Sequence, residues 1–198
     1  MCIRDRDVAF IIACDESLSK LADSHGLPFF LVEQSDGILN QDRRLFDIIQ
    51  RYKCDFLGLA QFPYRLESQF LEKSACPIIN TAPLSLVSAL VSADVADPYL
   101  QAHQKGAKLL GASSFLLSSN SAIQGSERIE GGAVDNSDEL ATMRPIVHQA
   151  TSAVKNGSSL ADLRKQGGEL EQAVFSSTLK ALLEHRVLQH GGKAIVFD

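Results

Sequence analysis

Asn80 closes the run Cys76-Pro77-Ile78-Ile79-Asn80, and a proline-bearing stretch, Thr81 to Ser85, follows it. An apolar run that ends abruptly in a polar residue predicts the carboxyl end of a buried parallel strand. In open α/β sheets ligands bind just outside such ends. A carboxamide placed there can donate hydrogen bonds to an oxyanion developing on a reacting carbonyl. It can equally cap the strand end or hold the following loop. His103 lies one turn into a predicted helix that starts at Pro98, so it either swings toward that edge or stands solvated on the helix surface. Ser85 has neither a G-x-S-x-G elbow nor a partner in sequence, which argues against a nucleophile. His148, His185 and His190 read as helix or turn residues without metal-ligand spacing, so no metal site is expected. Asp15-Glu16 and Asp42 read as first-turn acids favoured by the helix dipole.

The elements that must position these groups follow from hydrophobic periodicity. Val8 to Ala13 is a continuous apolar run and predicts a buried strand. Asp15 to Ser24 predicts a helix with Leu18, Leu21 and Ala22 on one face, stopped by Gly26 and Pro28. Phe29 to Val32 predicts a strand. Asn40 to about Gln50 predicts a helix, with Leu45, Ile48, Ile49 and Tyr52 as its apolar stripe. Cys54 to Ala60 and Ile78-Ile79 predict two more buried strands, with a short helix over Leu66 to Lys73 between them. Strands alternating with helices across short loops point to βαβ units. Leu84 to Ala96 reads as loop or short helix.

Asp97-Pro98 predicts a helix start, as cap and first residue, and Gly106 its end. Lys108 to Leu117 predicts a strand and Glu127 to Val134 a weaker one. Asp138 to Asn156 is expected to be helical but interrupted at Pro145, with Ile146, Ala150 and Val154 as its stripe. Ser159-x-x-Asp162 predicts a capping box for a long last helix carrying Leu163, Leu170, Val174 and Leu182 on its buried face. The pair Gly167-Gly168 predicts a kink or a close approach inside it. Arg186 to Leu188, Gly191-Gly192 and Ala194 to Phe197 predict a hairpin. The expected fold class is α/β, an open and mostly parallel sheet with flanking helices, ending in a long helix and a β-hairpin.

The chain has 198 residues, 45% hydrophobic and 22% charged, enough for one sizeable core. A net charge of −5, with basic residues scattered, argues against a nucleic-acid surface. Cys2, Cys14, Cys54 and Cys76 form no C-x-x-C pair and fit small reduced hydrophobes in a cytoplasmic protein. No apolar run reaches the roughly 20 residues of a membrane span, and Val8 to Ala13 is too short for a signal peptide. The opening Met-Cys-Ile-Arg-Asp-Arg looks like translated sequencing adapter, so residues 1–6 are set aside as non-native and residues 7–198 are expected to form one domain.

Several segments, in order, resemble one family: His25-Gly26-Leu27-Pro28-Phe29; Cys54 to Ala60; Ile78-Ile79-Asn80; Pro98-Tyr99-x-Gln101-Ala102, then Gly106-x-Lys108-Leu109-x-Gly111-Ala112; Leu163-Arg164-Lys165-x-Gly167-x-x-Leu170-Glu171; Glu184-His185-Arg186-Val187-Leu188; and Gly192 to Phe197. Together they are similar to the catalytic domain of formyltetrahydrofolate deformylase, in the formyltransferase fold shared with glycinamide ribonucleotide formyltransferase. The resemblance implies hydrolysis of 10-formyltetrahydrofolate to tetrahydrofolate and formate, a place in one-carbon metabolism and purine biosynthesis, and no permanently bound cofactor. It implies a first strand and a regulatory domain upstream of residue 7. A folate is the implied small-molecule partner, and a homo-oligomer is compatible with it.

The resemblance also implies an Asn, a His and an Asp around the formyl group. Asn80 matches the Asn. The family's Ile-His-His-Ser stretch corresponds to Thr81-Ala82-Pro83-Leu84, so the catalytic His falls at Ala82 and its neighbour at Pro83. The family's Asp-x-Gly-Pro-Ile loop corresponds to Asn120 to Gly125, so the Asp falls at Ala122 or Ile123, and the His after Pro-Tyr is Leu100. Asn120 could stand in as a polar group but not as a base. Three readings follow: a deformylase with a rebuilt site, a catalytically degenerate folate-binding or partner-binding paralogue, and a formyltransferase to another acceptor. Losing a base and an oxyanion donor lowers the rate by roughly 10²–10⁴-fold each, which favours the second reading for turnover.

Overall fold

The computed structural model describes residues 8–32, 38–60, 68–74, 76–84, 97–117, 145–190 and 193–197. Residues 1–6, Ser85, Asn120, Ala122, Ile123 and the segments expected over Leu84 to Ala96 and Glu127 to Val134 lie wholly or almost wholly outside them. The chain divides into two compact units.

The first unit runs to Leu57 and includes the segment before Ile78. Strand β1 (Ile11–Ala13) leads through a 3-10 turn (Glu16–Leu18) into helix α1 (Ser19–Ser24), and β2 (Phe29–Leu31) returns beside β1 in parallel register, Ile11 opposite Phe29. Asp15 caps the turn by accepting a hydrogen bond from the Ser17 amide at 2.8 Å. Because Leu18 belongs to the 3-10 turn, the expected stripe is split: Ala22 is buried while Leu18 and Leu21 stay exposed. Gly26, at φ 64°, closes α1 with paired hydrogen bonds from Gly26 to Asp23 and from Leu27 to Ala22. Helix α2 (Ile38–Tyr52) buries Leu45 and Ile49, and its Tyr52 ring meets Phe10 and Phe30. Helix α3 (Ser68–Lys73) completes the unit. Cys54 and Cys76 are free thiols whose ionisation burial pushes up, which keeps them protonated.

The second unit holds a sheet of order β3-β4-β5-β6, from β3 (Leu57–Ala60), β4 (Ile78–Leu84), β5 (Leu109–Leu117) and β6 (Ile146–Ala153). Strand β5 runs antiparallel to both β4 and β6. Helix α4 (Pro98–Gln104) enters β5, α5 (Leu160–Leu183) follows β6, and β7 (Val187–His190) with β8 (Lys193–Val196) form the closing hairpin. The α/β class, long last helix and hairpin are as expected. Asp97 caps α4 with hydrogen bonds from the Tyr99 and Leu100 amides, and Ser159 and Asp162 form the full capping box of α5.

Two expectations are corrected. The segment after Pro145 is strand β6, not helix. Ile146, Ala150 and Val154 are spaced by four, a spacing that fits a helical stripe and also a regular strand face of period two, although a bulge here sets Ile146 apart from Ala150. Alternating burial from His148 onward and pairing to β5 decide for the strand. In the second, the strand holding Asn80 does not stop there but continues to Leu84, with Pro83 opposite Ala112. The ladder to β5 runs from Ile78 opposite Leu117 to Leu84 opposite Gly111, so cross-strand pairing outweighs the loop tendency of the proline-bearing stretch.

Helix α5 covers one face of this sheet. Ile79, Leu116 and Val147 form a buried cluster with Phe175, Leu179 and Leu182 of the helix and Val187, Ala194 and Val196 of the hairpin. The helix runs unbroken through Gly167-Gly168, and Gly167 takes the close approach: the Tyr99 ring occupies the place a side chain would need.

Candidate functional site

Side chains alternate across β4, so its two faces carry different chemistry. Ile79 points to α5. Thr81, on the same side, donates to Ser114 Oγ at 3.0 Å, and Ser114 stands opposite His148 on β6. His148 Nδ1 lies 3.4 Å from Thr178 Oγ1 of α5, which itself donates to the Val174 carbonyl at 3.0 Å. Thr81, Ser114 and Thr178 are each no more than 2% exposed, so this row is a satisfied internal polar chain.

Asn80 and Ala82 face the other way. Asn80 stands opposite Phe115 and Ala82 opposite Ser113, which in turn stands opposite Gln149. Gln149 Nε2 donates to Ser113 Oγ at 3.1 Å. Asn80 Oδ1 is buried and has no hydrogen-bond partner among the described residues. A buried carboxamide oxygen left unpaired is costly, and native structures keep such groups where a water or ligand can complete them.

Helix α4 contributes structure more than chemistry. Arg164 pairs with Asp97 and, with the capping amides, holds its carboxyl below the usual range. Tyr99 donates to Glu171 Oε1, and burial followed by that carboxylate pushes the Tyr99 phenol well up, so it stays a neutral donor. Glu171 is 4% exposed. His103 is exposed on α4, which packs on α5, while Asn80 faces away from α5; the two are not brought together. Neither is His148, on the opposite sheet face. His185 and His190 are exposed at the end of α5 and in the hairpin.

Of the expected site, the structure therefore describes Asn80 and Ala82 and puts them side by side on one face. Ser113 and Gln149 join them there, and neither could be read from local pattern: both depend on strand pairings made across long stretches of chain.

The chain is 27% identical over 193 residues to the formyltetrahydrofolate deformylase of Escherichia coli K12, a match covering 97% of this chain and 60% of that protein. Its curated homologues are formyltetrahydrofolate deformylases. That of Bacillus subtilis is 24% identical over 97% of the chain and 56% of its own length. The chain thus spans about three fifths of the curated relatives it matches. Among solved structures, the deformylase of Pseudomonas syringae pv. tomato superposes with a TM-score of 0.73 at 26% identity, over 98% of this chain and 57% of that one. Glycinamide ribonucleotide transformylase 1 of Symbiobacterium toebii superposes at 0.70 with 22% identity, over 96% and 81%, a likeness of fold. No protein-family model matches the chain. Among the described residues, no helix is long and apolar enough to cross a membrane.

Proposed function

We propose that this chain is a deformylase-like module that binds 10-formyltetrahydrofolate on the Asn80 face of the sheet and hydrolyses it slowly, to tetrahydrofolate and formate. The observation that carries the reading is similarity to curated deformylases along 97% of the chain. Asn80, at the position of the family's Asn and on the face of β4 turned away from α5, supports it. Asn80 Nδ2 would donate to the formyl oxygen as negative charge builds there.

What the site lacks sets the rate. Ala82 offers no proton and no donor. The missing carboxylate is better aligned from β6 than from the loop composition: β6 is entered through Pro145-Ile146, the dipeptide that ends the Asp-x-Gly-Pro-Ile pattern. Counting back puts the Asp position at Thr142, in place of Ala122 or Ile123, and no carboxylate stands at any of the three. Two missing groups, each worth roughly 10²–10⁴-fold, leave a hydrolysis far slower than that of an intact site. A purely folate-binding role is the second reading, favoured by Ala82 at the position of the catalytic His, where no proton can be given or taken. Either role belongs to one-carbon metabolism in the cytoplasm.

Formate release from 10-formyltetrahydrofolate, together with folate binding, tests this in the full chain and in Asn80→Ala. Slow release that Asn80→Ala abolishes supports the hydrolytic reading. Binding without release moves the conclusion to the binding role, and no binding of either folate sinks both.

A further inference from the structure

Lys108 Nζ donates a hydrogen bond to Asn156 Oδ1 at 2.9 Å, and Gly157 follows Asn156 directly. All three residues are exposed, and the Asn-Gly pair lies on the turn between β6 and α5. The Ser158 amide closes that turn on the Lys155 carbonyl at 3.2 Å, and the Ser158 hydroxyl donates to the same oxygen at 2.9 Å. Asn156 and Gly157 are its two central residues, and the Gly157 N–H donates to no group among the described residues. Gly157 has φ of 83°, a backbone that glycine adopts without strain, and no atom lies within 4 Å of the place a side chain would take. The nitrogen that follows Asn156 is thus unbonded and unhindered, and an ammonium polarises the carboxamide beside it. Asn80 is the contrast: it is held in the ladder of β4 and is followed by the β-branched Thr81, which is 2% exposed.

We propose that Asn156 is a site of self-modification, deamidated through attack of the Gly157 nitrogen on Asn156 Cγ, with the Lys108 ammonium stabilising the charge that develops on Oδ1. The Gly157 amide gives up its proton as the new C–N bond forms. The Cγ–Nδ2 bond breaks, and Nδ2 leaves with that proton as ammonia. The cyclic imide then takes up one water. It opens at Cγ to give aspartate, or at the main-chain carbonyl of residue 156 to give isoaspartate. Either product sets a carboxylate beside Lys108, so a hydrogen bond to a neutral amide becomes an ion pair and the protein gains a negative charge. The isoaspartate product also routes the backbone through the former side chain and lengthens the turn that leads to the Ser159 cap of α5. The new charge stands just ahead of that helix, on the side its dipole favours. The turn thereby records the age of each molecule, and it does so independently of the Asn80 face.

The test incubates the full chain at pH 8 and 37 °C in heavy-oxygen water and follows its peptides by mass spectrometry, with fragmentation that separates aspartate from isoaspartate. Wild type is expected to exchange NH for heavy oxygen at Asn156, with isoaspartate among the products, and to leave Asn80 intact. Lys108→Met keeps the stem of the side chain without the ammonium and is expected to slow the reaction about two- to fivefold, the size of one exposed charged contact. Lys108→Arg keeps the positive charge and is expected to keep the rate. A free peptide with the sequence of residues 155–160 is expected to react more slowly than the whole chain. If the peptide reacts faster, the fold protects Asn156 and the proposal falls. Equal rates in wild type and Lys108→Met remove the ammonium from the reaction and also overturn it. So does equal modification of Asn80, which would trace the chemistry to unfolded chain and not to this turn.

Discussion

Ala82 sits two residues from Asn80, on the same face of β4 and directly across from Ser113. A histidine introduced there would rise from the sheet beside the Asn80 carboxamide. Ala82→His is therefore expected to raise formate release from 10-formyltetrahydrofolate by about tenfold or more, since a positioned acid–base group contributes roughly 10²–10⁴-fold in a complete site. A stopped assay for formate checks it, and an unchanged rate in a folded variant would mean the Asn80 face is not where the chemistry occurs. The shared face of positions 80 and 82 was not legible in the sequence, where the proline-bearing stretch after Asn80 reads as a loop; it follows from the continuation of β4 to Leu84. Ser113 and Gln149 were not legible either. Their neighbours in space lie 31 and 36 residues away in sequence, through Ala82↔Ser113 and the Gln149–Ser113 hydrogen bond.

Helix α4 is held by three contacts to α5: Asp97 to Arg164, Tyr99 to Glu171, and the Tyr99 ring over Gly167. In an open helix interior, Gly→Ala stabilises by about 1 kcal/mol. At Gly167 the sign is expected to reverse, with Gly167→Ala destabilising by about 1–3 kcal/mol, because the new methyl overlaps the Tyr99 ring. Urea denaturation of Gly167→Ala, Tyr99→Phe and Gly168→Ala separates the terms; Gly168 has open space around it and should show the ordinary gain. Asp97→Ala is expected to cost about 1 kcal/mol through the lost cap. Its exposed pair with Arg164 adds little. Caps of this kind could be read directly from Asp97-Pro98 and Ser159-x-x-Asp162, since they are local. The strand at β6 could not be read so: its spacing of four satisfies two periodicities, and only the partner strand distinguishes them.

Among the described residues, the carboxylates held below their ordinary range are Asp15, Asp97 and Asp162, each at the start of a helix or helical turn. For Asp15 the cause is the Ser17 hydrogen bonds, for Asp97 first Arg164, and for Asp162 the Ser159 hydrogen bonds. A depressed folded-state value means the stabilisation is fully present above the unfolded carboxylate value of about 3.9 and is lost as pH falls through the folded value. Thermal denaturation is expected to show little change between pH 5 and 7 and a marked fall below about pH 4. Replacing all three by Asn, which keeps a capping oxygen but cannot titrate, should flatten that fall. The hydrophobic frame that these caps punctuate was visible in the sequence; the antiparallel return through β5 was not, because pairing direction is set by connection geometry and not by residue pattern.

That return has one further consequence. Phe115 and Ile146 are direct partners at the adjoining ends of β5 and β6, so the chain leaves the sheet after Leu117 and re-enters at Pro145 almost where it left. Neighbouring antiparallel strands need only a tight turn to join them. The junction of β5 and β6 is thus a doorway in the sheet, where joining segments of other lengths and chemistries could be exchanged, by selection or by design, without redrawing the ladder.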